Sequence, residues 1–299
     1  MSPKSHHFNP QVYLRQFTNP KAKNELWQYD LSDGSVTEST PKKSGCEDFY
    51  HSILRKDGIR DDETVEQAFK HLENRLPKFF ETIRNKQPMS DHLWGVLFVF
   101  ASLQRTRNPK AVFSFQKGLS KAYTQLFKLW KHSPEFDKVV SEHGLNPDVS
   151  RKADIELEAD RGHVLLVNLK SIRVLSHLFA RMKWAFLCAP HDRYFFTSDD
   201  PVCCYVRPGE RGPFNSVGPA HQRVEITFPL SRRICAVGCW KSCPPLLYNP
   251  LTTDKMDVIN FRTVQNSFRF VYGPTNDRHI SNLVEEIVVL NRPKQGCST

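Results

Sequence analysis

The residues best equipped for chemistry stand near the start of the chain, in His6-His7-Phe8-Asn9-Pro10-Gln11-Val12-Tyr13-Leu14-Arg15-Gln16-Phe17. Imidazoles titrate near neutrality, so His6 and His7 can transfer protons or ligate a metal. Tyr13, Leu14 and Phe17 supply apolar anchorage, which predicts that this segment docks into a core made later in the chain. A second group closes a helical stripe: Leu93, Leu97, Phe100, Gln104 and Arg107 recur at helical spacing, from Ser90 as N-cap to the stop at Asn108-Pro109. A guanidinium on a core-facing stripe must be paired or must bind an anion. A third group is Ser198-Asp199-Asp200-Pro201, a turn by its residue types, from which Asp199 can project off a strand end.

If the three groups converge, His6 or His7 moves a proton, Arg107 stabilises charge on phosphorus, and Asp199 orients a histidine or holds a metal. Tyr13, Arg15, Gln104 and Asp200 would then line the substrate. This is the equipment of a nuclease-like phosphodiesterase acting on RNA or DNA. A divalent ion, manganese or zinc, fits a mixed set of one histidine with Asp199 and Asp200. Adjacent histidines on a strand point in different directions, which favours a metal-free arrangement or a single histidine ligand. The same residues support a reading of another class: a non-catalytic nucleotide- or anion-binding regulatory protein whose His/Arg/Asp network is structural.

The elements that must position these groups follow from patterning. The 299 residues include 21 phenylalanines and are 39% hydrophobic and 25% charged, so a packed core is expected. Glu25–Leu31 and Ser35–Thr40, joined by Ser32-Asp33-Gly34, predict a hairpin. Phe49-Tyr50 reads as an aromatic anchor in a loop. Val65, Ala68, Phe69, Leu72 and Leu76 form one helical stripe that Pro77 should kink or break. Glu73 lies beside that stripe, within reach of an internal arginine. Val112–Lys131 is a further helix, 133–161 reads as polar loop, and Val164–Phe186 as one long helix. Strands are expected at Tyr194–Thr197, Val202–Val206, Val224–Leu230 and Arg233–Trp240, a flexible loop at Gly209–Gly218, and helices at Met256–Phe270, with Phe268 inward, and Asn282–Leu290. The expectation is one α+β domain over 1–299. Its parts are a His-His segment and hairpin (1–50), a helical region (61–190) and a strand-rich region with late helices (193–290).

Composition bounds the setting. The formal charge of +10, from 42 Lys and Arg against 32 Asp and Glu, is compatible with a nucleic acid partner. No apolar run reaches membrane-spanning length, and the amino terminus lacks a signal-peptide core. Eight cysteines suit a reducing compartment, so a cytoplasmic protein is expected. Cys235, Cys239 and Cys243, evenly spaced, lack the paired spacing of a zinc ribbon and read as free thiols.

The chain resembles domain-of-unknown-function family 4238, a microbial family. Its opening pattern His-His-x-x-Pro-x-x-Tyr-Leu-Arg-x-Phe looks like His6, His7, Pro10, Tyr13, Leu14, Arg15 and Phe17. Its helix ending Gln-x-x-Arg-x-Pro looks like Gln104, Arg107 and Pro109. Its Phe-x-Thr-Ser-Asp-Asn-Pro-Val turn looks like Phe195 to Val202, with Asp200 where the pattern has Asn. Glu225 to Ser231 is similar to its closing strand. The resemblance carries no established reaction. A toxin or phage-defence role is an expectation from the kind of genome such families populate.

Overall fold

The computed structural model describes residues 5–22, 24–54, 58, 60–61, 63–211 and 217–291. The architecture is α+β, a helical middle packed against sheets to which both ends of the chain contribute strands. A five-stranded sheet runs in the spatial order Tyr248–Pro250, Lys183–Cys188, Ile234–Cys239, Glu225–Ser231 and Cys203–Tyr205. Its first pair is parallel and the others antiparallel. A four-stranded antiparallel sheet orders Val36–Ser39, Leu26–Asp30, Phe270–Gly273 and Thr197–Ser198, so the amino-terminal hairpin is extended by a strand from the far end of the chain. The short strand Ser5–His7 pairs with Cys46–Asp48, register His6 to Glu47.

The amino-terminal segment docks into the core as its aromatic content requires. Tyr13 lies between the helix Asp91–Arg107 and the strand Glu225–Ser231, its ring 5.4 Å from Phe100 and 5.8 Å from Phe228. Its buried hydroxyl donates to the Pro229 carbonyl at 2.7 Å and contacts Thr197 Oγ1 at 2.5 Å. Tyr13 is therefore a peg between two sheets, satisfied at its polar end.

The central helix begins at Ser90, whose Oγ accepts the Leu93 N–H at 3.4 Å, and buries Leu97, Phe100, Gln104 and Arg107. Asn108 joins it to the next helix, Pro109–Trp130. Its Oδ1 accepts the Ala111 N–H at 2.7 Å and its Nδ2 donates back to the Gln104 carbonyl at 3.0 Å. The break at Pro77 also occurs: helix Thr64–Glu73 gives way to Leu76–Arg84, with the proline in the first turn, where its missing N–H costs nothing.

Four elements differ from the sequence expectation. The stretch 133–161 contains helices Pro134–Glu142 and Pro147–Lys152, capped by Ser133 and Asn146 side chains; its polar composition hid two cap-then-proline signals. The long helix over Val164–Phe186 is instead Arg161–Lys170, Ile172–Ala180 and the strand Lys183–Cys188. A short apolar run such as Trp184–Leu187 suits helix or strand alike, and pairing with Ile234–Cys239 decides it. In Tyr194–Thr197 only Thr197, with Ser198, pairs as a strand. The Phe196 N–H is taken instead by Asn260 Oδ1 at 3.1 Å. Helix Thr253–Asn266 stops before Phe268, which is 45% exposed rather than inward. The loop expected over Gly209–Gly218 falls partly outside the described residues.

Among the described residues no helix is long and apolar enough to cross a membrane, and seven cysteines are free thiols.

Candidate functional site

Strand alternation separates the two histidines. On Ser5–His7 the His6 ring is buried, whereas half-buried His7 bonds through Nε2 to the Lys42 carbonyl at 3.2 Å. Burial lowers the His7 pKa, and the Lys42 carbonyl only partly offsets this.

The partner of His6 is His51. The two rings stack with centroids 5.5 Å apart and planes 13° from parallel. The His51 backbone N–H donates to His6 Nδ1 at 2.9 Å, and His51 Nδ1 is hydrogen-bonded to the Glu66 carboxylate. The helix Thr64–Glu73 carries Glu66, Phe69 and Glu73, spaced three and four residues apart and so along one face. Phe69 meets the His51 ring edge-on at 4.8 Å, and the Arg107 guanidinium lies 4.8 Å from the Phe69 centroid. Glu73 Oε1 is 3.5 Å from Arg107 Nη1, the internal ion pair its position suggested.

Behind this cluster runs a buried chain of amides. Arg107 Nε donates to Gln104 Oε1 at 2.9 Å, Gln104 Nε2 to Asn9 Oδ1 at 2.9 Å, and Asn9 Nδ2 to the Ser198 carbonyl at 2.8 Å. Three stretches far apart in the sequence are thus linked. The Asn9 end is held by the close approach of Gly45, which has φ +64° and leaves a Cβ only 2.8 Å from that of Asn9. Gly45→Ala is expected to cost roughly 1–3 kcal/mol in a urea melt. A melt unchanged from wild type would contradict this packing.

The hydrogen-bond partners assign the tautomers. His6 Nδ1 accepts a backbone N–H, so a neutral ring carries its proton on Nε2. His51 Nδ1 donates to Glu66, so its Nε2 holds the lone pair. Burial lowers the His51 pKa to about 4, against the pull of Glu66. Burial alone would raise Glu66, but the bond from His51 holds it below the ordinary value. Burial also lowers Arg107, opposed by Glu73, and raises Glu73, opposed by Arg107.

Three buried nitrogens of this cluster have no hydrogen-bond partner among the described residues, His6 Nε2, His51 Nε2 and Arg107 Nη2, while Arg107 Nη1 has only its 3.5 Å ion pair with Glu73. Orphaned buried polar atoms are costly, and three together suit a polar ligand. His6 and Arg107 are fully buried, but the Glu66 and Glu73 side chains are 19% and 29% exposed, so the cluster meets water along the helix Thr64–Glu73.

A donor atom from each of His6, His51 and Glu66 lies within 4.8 Å of the others, a spacing that suits a cation. The proton positions do not. The His6 nitrogen facing the cluster is an N–H, and a Glu66 oxygen already accepts from His51, which leaves His51 Nε2 as the one nitrogen ready to ligate. The set suits proton transfer better than metal binding.

The convergence expected of His7, Arg107 and Asp199 does not form. Both Asp199 oxygens are occupied by backbone: Oδ1 accepts the Phe268 N–H at 2.8 Å, and Oδ2 the Arg269 and Phe270 N–H groups at 2.7 and 2.9 Å. Burial pushes Asp199 up to about 6, against those three bonds. Asp200 accepts from Asn108 at 3.1 Å and pairs with Arg105 at 3.5 Å. Neither aspartate joins a histidine, so the metal set of one histidine with Asp199 and Asp200 is not assembled. Tyr13 is spent on packing, and exposed Arg15 lines another cleft. The structure brings together His6, Arg107 and Gln104 from the expected set. His51 and Glu66 went unnoticed: His51 sits in a turn without periodicity, and Glu66 differs from a solvated helix carboxylate only through its partner.

The family model described as "Protein of unknown function (DUF4238)" matches residues 5–277. The chain belongs to this family. The DUF4238 match covers every residue of the cluster, from His6 to Arg107, and the chain beyond it to the strand Phe270–Gly273. No curated protein and no solved structure matches the chain.

Proposed function

We propose that the protein is a metal-independent ribonuclease that cleaves RNA at the His6–His51–Arg107 cluster. The observation that carries this reading is the set of three orphaned nitrogens, two of N–H character and one lone pair, beside an Arg107 Nη1 held only by Glu73. An RNA phosphodiester matches it: the phosphoryl oxygens accept, and the 2′-hydroxyl donates. His51 Nε2 takes the 2′-hydroxyl proton as O2′ attacks phosphorus. The P–O5′ bond breaks, and the same proton returns from His51 to O5′, leaving a 2′,3′-cyclic phosphate and a 5′-hydroxyl. Glu66 orients His51 and stabilises its charged form. The neutral His6 N–H and the Arg107 guanidinium donate to the phosphoryl oxygens as charge builds there. Glu73 serves as counter-ion to Arg107 at the wet edge where substrate enters. The overall positive charge recruits RNA, and a toxin or defence effector is a role that such cleavage would serve.

The test is incubation of purified protein with end-labelled RNA and the matching DNA in excess chelator. Cyclic-phosphate products from RNA alone are expected. RNA left intact overturns the proposal, and heat-shift binding of RNA or nucleotides without turnover would favour a non-catalytic binding protein, a reading to which the full burial of Arg107 lends weight.

The pH profile follows from His51. Protonation removes its lone pair, so activity falls as pH drops through its pKa. Burial puts that near 4, so cleavage is expected to persist well below the ordinary histidine value of about 6.5. An acid limb centred at that ordinary value would contradict the buried, neutral His51.

A further inference from the structure

A cleft of about 600 Å³, sharing no residue with the His6–His51 cluster, is walled by Arg15, Arg84, Lys86, Arg232 and Arg233 with Gln16. No carboxylate lines it, and none of the five cations forms an ion pair among the described residues. Five like charges around one hollow repel one another, and no carboxylate among the described residues pairs with them.

The wall is built rather than accidental. Arg233 spends its guanidinium on the carbonyls of Ala189, Pro190, His191 and Arg193, at 2.6 to 3.1 Å, which fixes the turn that presents Arg232. Arg84 Nη2 donates to Gln16 Oε1 at 3.0 Å, tying the end of helix Leu76–Arg84 to the Arg15 segment. Lys86 closes that helix. The Lys86 N–H bonds the Ile83 carbonyl and the Gln87 N–H the Thr82 carbonyl, both at 3.0 Å, with Lys86 at φ +52°. This is the helix-ending position where glycine is usual. A lysine held there in left-handed backbone gives up stability and keeps a charge at the rim of the cleft.

We propose that this cleft binds a linear polyphosphate anion, supplied either as inorganic polyphosphate or as the triphosphate tail of a nucleotide. Arg15, Arg84, Lys86 and Arg232 bind the phosphates, Arg233 holds the wall, and the volume suits a ligand of nucleotide size. Burial together with the neighbouring positive charges of Arg84 and Arg233 lowers Arg232 from its ordinary value, the sign expected of a cation awaiting a counter-charge. This site stands whether or not the histidine cluster cleaves RNA.

The experiment is calorimetric titration of the full chain with tripolyphosphate, with ATP and with adenosine at physiological salt, on wild type, Lys86→Gly and Arg84→Gln. Tripolyphosphate and ATP are expected to bind and adenosine not to. Each substitution should weaken binding roughly tenfold, while Lys86→Gly melts at or above the wild-type temperature because its backbone strain is relieved. ATP binding roughly tenfold tighter than tripolyphosphate assigns the nucleotide, and equal affinities assign the inorganic chain. No heat from either anion up to about 1 mM, or binding that both substitutions leave unchanged, overturns the proposal.

Discussion

His51→Gln is expected to lower RNA cleavage by about 10²–10⁴-fold, the usual contribution of a positioned proton-transfer group. His51 holds the one uncommitted nitrogen lone pair in the cluster, with Nδ1 committed to Glu66 and Nε2 open. Glutamine keeps much of the volume but cannot cycle a proton. Glu66→Gln should reduce the rate less, because it leaves the imidazole in place and removes only the charge that orients it and stabilises its protonated form. His7→Ala, with its ring turned to the Lys42 carbonyl, should leave the rate within a few-fold of wild type. Single-turnover rates on one RNA substrate, alongside melting temperatures, check the series. A His7→Ala protein as inactive as His51→Gln would mean that the wrong histidine has been assigned.

Asp199→Ala should cost about 3–5 kcal/mol and can prevent folding outright, since whole domains are stable by only about 5–15 kcal/mol. Three part-buried backbone N–H groups, of Phe268, Arg269 and Phe270, lose their acceptor together, just where the strand Phe270–Gly273 enters the four-stranded sheet. The Asp199 N–H bonds back to the Phe270 carbonyl at 3.0 Å, so the turn and the strand entry clamp each other. Asp199→Asn keeps one carbonyl acceptor but aims an amide donor at an N–H, and should fall between wild type and alanine. Urea midpoints measure all three. If Asp199→Ala melts like wild type yet abolishes cleavage, the carboxylate acts in the reaction and its structural assignment fails.

What was legible in advance depended on how local the signal was. The hairpin around Asp33-Gly34, the cap at Ser90, the stripe through Gln104 and Arg107 and the break at Pro77 are written in residues a few positions apart, and the structure follows them. Lys183–Cys188 reads as helix from its own residues, because its choice rests on Ile234–Cys239, about fifty residues away. The site divides in the same way. Arg107 and Gln104 declared themselves as polar residues on an apolar stripe. His51 and Glu66 carry no such contradiction and become visible only as partners.

By itself, the sequence determined that the amino-terminal aromatics must be buried, that a buried guanidinium would need partners, and that the chain is an α+β member of its family. The tertiary structure alone decided which carboxylates do which work. Asp199 looks like an orienting acid until three backbone amides are seen to consume it, and Glu66 looks like surface until a histidine is found beside it. The physical reason is that a side chain's chemistry is set by its desolvation and its partners, which folding brings from anywhere in the chain, whereas periodicity and capping are settled within a few residues.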